Sequence, residues 1–197
     1  MPKACIILVA MLWMALSSAA QSHLLPGCVG FRYSEQVSNV TGGDHERFAL
    51  QGAAADAYWK MVSLPSGANL GLAVDGSMEN THNMNGAGYG LNLFSFAGGP
   101  RLRLSTHKVQ PFAQALFGVA HGWGSEFPSG GNTLASSASS FALDLGAGAD
   151  YPLNKMNKRL SLRVLQLDYS RTSLPNNTTN WQNNLRIGAG ITLRVSH

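Results

Sequence analysis

The chain has 197 residues, of which 12% are charged and 45% hydrophobic, with 22 glycines and a formal net charge of +4. A water-soluble domain carries about 25% charged residues, so an ordinary charge-rich, water-facing surface is excluded. The basic residues form no run and no stripe interleaved with aromatics, which excludes the footprint of a nucleic-acid partner.

Residues 1–20 read as a secretory signal peptide. Lys3 supplies the positive start, Ala4 to Leu16 the apolar run, and Ser18-Ala19-Ala20 the small residues before a cleavage site at Gln21. About 13 apolar residues are too few for a membrane-spanning helix, which needs about 20. Removal of this segment leaves 21–197 as one domain, exported through the general secretory route. Cys5 leaves with the signal, so Cys28 stands alone and no intramolecular disulfide can form. Leu25-Pro26-Gly27-Cys28 is a poor lipid-attachment signal. Pro26 fits badly, and the small and polar residues from Ser17 to His23 separate it from the apolar run.

No stretch of the mature chain has 18 consecutive apolar residues. Instead, period-two alternation recurs over about ten residues, the length of a tilted membrane-spanning strand. Eight strands are expected, over 29–38, 48–59, 68–78, 89–104, 109–121, 140–150, 159–169 and 184–195. The second puts Asp56 on the same face as Phe48 and Leu50, which points to a bulge or a shifted register. In the third, Leu70, Leu72 and Val74 alternate with Gly71, Ala73 and Asp75. In the fourth, Phe94, Phe96, Leu102 and Leu104 oppose Ser95, Arg101 and Arg103. In the sixth, Phe141, Leu143, Leu145, Ala147 and Ala149 alternate with Ala142, Asp144, Gly146, Gly148 and Asp150. The seventh changes phase: Leu160, Leu162 and Val164 share one face, and Leu165, Leu167 and Tyr169 the other. The eighth is the clearest, with Leu185, Ile187, Ala189, Ile191, Leu193 and Val195 opposite Arg186, Gly188, Gly190, Thr192 and Arg194.

Polar connections at 39–47, 79–88, 122–139 and 170–183 are mostly longer than those at 60–67, 105–108 and 151–158. Outer-membrane barrels show this asymmetry, with short periplasmic turns and long outer loops. The loops near Gly43, His82, Ser129 and Asn177 are therefore expected outside. Tyr33, Tyr58, Trp59, Trp123, Tyr151, Tyr169 and Trp181 fall near strand ends, as interfacial aromatics do.

Glycine weakens a strand, so a face of glycines and isolated charges needs a reason. A narrow barrel interior gives one, because small residues leave room for paired charges. The fold expected is all-β: an eight-stranded antiparallel up-and-down transmembrane β-barrel. Its lumen charges are expected to be Arg101, Arg103, Asp144, Asp150, Arg163, Asp168, Arg186 and Arg194. On this assignment Ile187→Arg destabilises strongly, Arg186→Ala by an intermediate amount and Gly188→Ser mildly.

From about Phe94 to Arg194 the chain resembles bacterial outer-membrane β-barrel proteins of the OmpA-like transmembrane type. The residues that carry this are Phe96-Ala97-Gly98-Gly99-Pro100-Arg101, Pro111-Phe112-Ala113-Gln114-Ala115-Leu116-Phe117-Gly118 and Leu145-Gly146-Ala147-Gly148-Ala149-Asp150. Arg163-Val164-Leu165-Gln166-Leu167-Asp168-Tyr169 and Asn183 to Ile191 complete the series. The resemblance implies a barrel without enzymatic activity, inserted by the barrel-assembly machinery and surrounded by outer-membrane lipid as a monomer. Such barrels commonly end on a phenylalanine, whereas this sequence ends Val195-Ser196-His197. It shows no peptidoglycan-binding segment, so wall anchoring is not carried over.

Chemistry-bearing patterns are sparse. Gly86-Ala87-Gly88 and Gly146-Ala147-Gly148 lack the strand–loop–helix context of a phosphate loop. His121, Ser125 and Glu126 lie close in sequence, and some outer-membrane barrels modify lipid with such groups; a serine nucleophile needs a base and an orienter in hydrogen-bonding geometry. Asn39-Val40-Thr41 and Asn177-Thr178-Thr179 match the glycosylation sequon, a chance product of Asn/Thr-rich loops. His82, His107 and His121 lack metal-ligand spacing. No cofactor or metal is expected. The function expected is a structural or surface-interaction role without a wide pore. The alternatives are a soluble lipocalin-like barrel holding an apolar ligand and, behind it, a lipid-modifying barrel enzyme.

Overall fold

The computed structural model describes residues 27–38, 47–82, 90–106, 108–129, 133–153, 159–176 and 180–195. The expected signal segment, both sequons, His107 and the connections around Gly43, Asn154 and Asn177 lie outside the described residues. The strands are β1 (Cys28–Ser38), β2 (Phe48–Ser63), β3 (Ala68–Thr81), β4 (Leu91–Leu104), β5 (Gln110–Pro128), β6 (Leu134–Pro152), β7 (Leu160–Thr172) and β8 (Gln182–Arg194). Each pairs antiparallel with the next, and β8 returns to β1 to close the barrel. Closure gives every strand two neighbours and removes the open edge that hydrocarbon cannot solvate.

Successive side chains point to opposite faces of a strand, and burial alternates accordingly. The outward residues of β8, from Leu185 to Leu193, are half exposed, while Arg186 and Thr192 between them, and Asn184 before them, are buried. Phe96, Phe117, Val119, Phe141 and Leu145 continue the apolar belt on β4, β5 and β6. Eight steps of ~3.4 Å along a strand tilted by ~40° make this belt about 21 Å tall. Towards the longer connections it gives way to outward polar residues, among them Gln51, Asn80, Ser139, Arg171 and Asn183. A soluble barrel holding an apolar ligand has the opposite distribution, polar outside and apolar within, so the lipocalin-like alternative fails.

Three local expectations change. β2 runs in unbroken register against β1 from Phe48 to Tyr58, and its irregularity lies later, between Lys60 and Val62. Asp56 shares a face with Phe48 and Leu50 because all three point inward. β7 does contain a phase change: the register with β8 shifts between Arg163 and Gln166. Val164 and Leu165 both face out there, so one inserted residue keeps every large apolar side chain of β7 on the outside.

The expected 122–139 loop is the third change. Most of it is an extended hairpin, with β5 running to Pro128 and β6 starting at Leu134. The register slips between Trp123 and Phe127, and Gly124 has φ 88°, a conformation that a side chain would oppose. The slip turns Phe127 inward over Gly122. Tyr58 also departs from the aromatic belt; it is buried in the lumen, and its hydroxyl donates to the Asn69 carbonyl at 3.1 Å.

Candidate functional site

Every strand places polar side chains on the inward face, and together they fill the lumen. The buried ionic groups among the described residues are Arg32, Arg101, Arg103, Arg163 and Arg186, with Asp56, Asp75, Glu79, Asp144, Asp150 and Asp168. A charge removed from water is expensive unless it is paired and hydrogen-bonded, and here one connected network does both.

It begins near the short turns, where Arg103 Nη2 donates to Asp150 Oδ2 at 2.8 Å. Asp150 also accepts from Arg163 Nε at 2.9 Å. Arg163 continues to Asp56, which is shared with Arg101 and Arg32. The Phe112 ring lies against the Arg101 and Arg163 guanidinium groups, 4.7 and 4.8 Å from its centroid. Arg32 Nη2 lies 2.7 Å from Asp75 Oδ2. Arg186 meets Asp75 at 3.4 Å and Asp168 at 3.3 Å, with Glu79 and Asp144 both at 3.7 Å. Ser34 and Ser77 each donate to Glu79 at 2.9 Å.

Glycines make the space. A Cβ at Gly30 would fall 2.3 Å from an Asp56 carboxylate oxygen, and one at Gly146 would fall 2.0 Å from Asp168 Oδ1.

Of the residues singled out from sequence, Arg101, Arg103, Asp144, Asp150, Arg163, Asp168 and Arg186 sit in this network. Arg194 does not; it is exposed at the end of β8, beyond the last buried layer. Arg32, Asp56, Asp75 and Glu79 were missed. Parity alone could have found Asp75, which alternates with Leu72 and Val74. Asp56 was hidden because its apolar companions Phe48 and Leu50 also point in.

Above the network, towards the longer connections, the lumen turns apolar. Phe48, Leu50, Leu91, Leu93, Ala120, Phe127, Ala142 and Leu174 form one buried cluster. Gln182 holds Leu174 there by accepting from its N–H at 2.9 Å and donating to its carbonyl at 2.6 Å. The lumen is thus occupied by ions in mid-barrel and by hydrocarbon under the loops.

Cys28 points into the lumen and is 5% exposed, with Arg103 Nη1 donating to its sulfur at 3.0 Å. The thiol thus faces the lumen rather than the outer face of the wall. His121 lies on the outer face, stacked on Trp123 at 5.6 Å, with Nδ1 2.7 Å from Ser139 Oγ of β6. Ser125 and Glu126 are not brought to it.

No protein-family model and no curated protein matches the chain. Among solved structures it is similar to Neisserial surface protein A, with a TM-score of 0.60 and 15% identity over 85% of this chain and 96% of that one. It is also similar to Ail, the attachment invasion locus protein of Yersinia pestis, with a TM-score of 0.51 and 15% identity over 86% of this chain and all (100%) of that one. The outer membrane enzyme PagL is matched at a TM-score of 0.46 and 14% identity, over 83% and 99% of the two chains. At these identities the likeness is one of fold: the chain has the fold of the small outer-membrane β-barrels.

Proposed function

We propose that the chain is a small bacterial outer-membrane barrel, exported through the general secretory route, with a structural or surface-interaction role and no catalytic activity. The observation that carries this is the inverted distribution of side chains, with Leu, Ile, Val and Phe half exposed outside and arginines and carboxylates buried inside. Water would penalise that exterior, and a bilayer core accepts it. An eight-stranded barrel is just wide enough for side chains to fill, so the molecule is not a diffusion pore. The longer connections and the polar ends of β5 and β6 face the exterior of the cell, and the short turns face the periplasm. Proteins of this fold that are named for the surface or for attachment favour the surface role. Bilayer lipid and the assembly machinery are its partners, and it acts as a monomer.

The catalytic alternative has one observation in its favour, the His121–Ser139 hydrogen bond. A serine nucleophile also needs a group orienting the base, and none is found at the other ring nitrogen of His121 among the described residues.

The test is fractionation with surface labelling. Mature protein should stay in the outer membrane after carbonate extraction and change its gel mobility on boiling. Cysteines placed at His82 and Ser129 should react in intact cells. Recovery in a soluble fraction would overturn the barrel-in-lipid reading, and labelling at Ser66 and Thr106 instead would reverse the orientation.

A further inference from the structure

The short-turn end of the lumen holds a cavity of about 290 Å³, lined by Lys60, Arg103, Arg194, Asn69, Gln110 and Cys28 among others. Three of its lining side chains are cationic and none is a carboxylate. Lys60 and Arg194 form no ion pair among the described residues. Arg103, 8% exposed, forms the floor. Its Nη2 is committed to Asp150 and to Gln110 at 2.8 and 2.9 Å, but its Nη1 is turned to the sulfur of Cys28. Sulfur is a weak acceptor, so this charged donor is the one most readily given to a better partner.

The surroundings reinforce the sign. Asp150 and Asp56 are the carboxylates beneath the floor; Asp150 is divided between Arg103 and Arg163, and Asp56 among Arg32, Arg101 and Arg163. Lys108 and Arg159 stand exposed at the same end. The carboxylates Asp75, Glu79, Asp144 and Asp168 lie deeper, around Arg186.

We propose that this cavity is a binding site for a small oxyanion, of the phosphate monoester class. Lys60 and Arg194 close on the anion from the rim as charge and fork, and Arg103 Nη1 meets it from the floor. The volume leaves room for a short polyol on the phosphate. A free phosphate ester and an anionic lipid headgroup share this chemistry. That the site opens to the periplasm rests on the orientation proposed above; the binding itself does not.

The test uses the whole folded barrel in zwitterionic micelles, with heat-dependent gel mobility as the check of folding. Glycerol phosphate and inorganic phosphate are titrated by calorimetry and phosphorus NMR. Saturable binding is expected, about tenfold weaker for each charge removed in Lys60→Gln and Arg194→Gln, and unchanged in Arg171→Gln, whose charge lies outside the cavity. No saturable binding to the wild type, or equal weakening by Arg171→Gln, would overturn the site. A second arm adds phosphatidylglycerol to the micelles. Displacement of glycerol phosphate by the lipid assigns a headgroup as the source, and retention assigns a soluble ester. Failure in micelles leaves the outer-membrane reading intact, because fractionation does not depend on it.

Discussion

From Arg103 to Arg186 the lumen is filled by guanidinium and carboxylate groups that touch several partners each, whereas from Leu50 to Phe127 it is filled by hydrocarbon. The two fillings fail differently. In the ionic section each group is tolerated only because others neutralise it, so losing one leaves its neighbours buried and uncompensated. In the apolar section a lost side chain leaves a hole, and the loss scales with the hole. The first filling specifies an arrangement, and the second mainly occupies volume.

The sharpest way to break this contrast is Arg186→Ala. It leaves Glu79 and Asp144 without their ion-pair partner, takes from Asp75 and Asp168 one of the two arginines each of them faces, and should remove about 4 kcal/mol, measured by urea unfolding in lipid vesicles. Leu50→Ala in the apolar section should remove about 3 kcal/mol, and a second truncation there, Leu93→Ala, should add to it rather than collapse the fold. An Arg186→Ala, Asp168→Ala double variant whose loss equals the sum of the two single losses would show that the ionic groups do not depend on one another. Ile187→Arg, on the lipid face, should remove about 2 kcal/mol. Arg186 therefore outranks Ile187, the reverse of the order expected from sequence, because it has four carboxylate neighbours rather than one. The smallest effect belongs to Gly188→Ser, about 1 kcal/mol. It is not free: a Cβ there would fall 2.9 Å from the Tyr33 carbonyl oxygen and 3.1 Å from Arg32 Cδ.

The ionic section was the more legible of the two in the sequence. Charges alternating with large apolar residues, as in Leu185 to Leu193 or Leu143 to Ala149, betray a two-faced strand whatever its surroundings. The apolar section was hidden for the same reason. Phe48, Leu50, Leu91 and Leu93 obey the alternation but place hydrocarbon on the inward face, so a rule that assigns apolar residues to lipid misplaces them. The hairpin ends were missed because Ser136, Ser137 and Ser139 read as loop, and only pairing with β5 makes them strand. The β7 phase change was visible as a break between Val164 and Leu165. Its meaning, a single inserted residue, needed the registers of both neighbours. Arg194 has inward parity, but parity says nothing of depth, and the residue lies past the last buried layer.

The β1–β8 seam carries a consequence for how the barrel forms. Arg32 of β1 and Arg186 of β8 stand on the two sides of that seam, and both reach across the lumen to Asp75 of β3. A sheet that has not yet closed can pair Arg32 with Asp56 and Arg186 with Asp168 on neighbouring strands, but it cannot bring Arg186 to Asp75, so these charges are not fully enclosed until the last pair of strands meets. Full dehydration of the charges and sealing of the ring are then one event, which places the chief kinetic barrier at closure. Once shut, the seam is latched from within, and parting the two strands means rehydrating the middle of the barrel. Lateral opening of the finished wall is correspondingly slow.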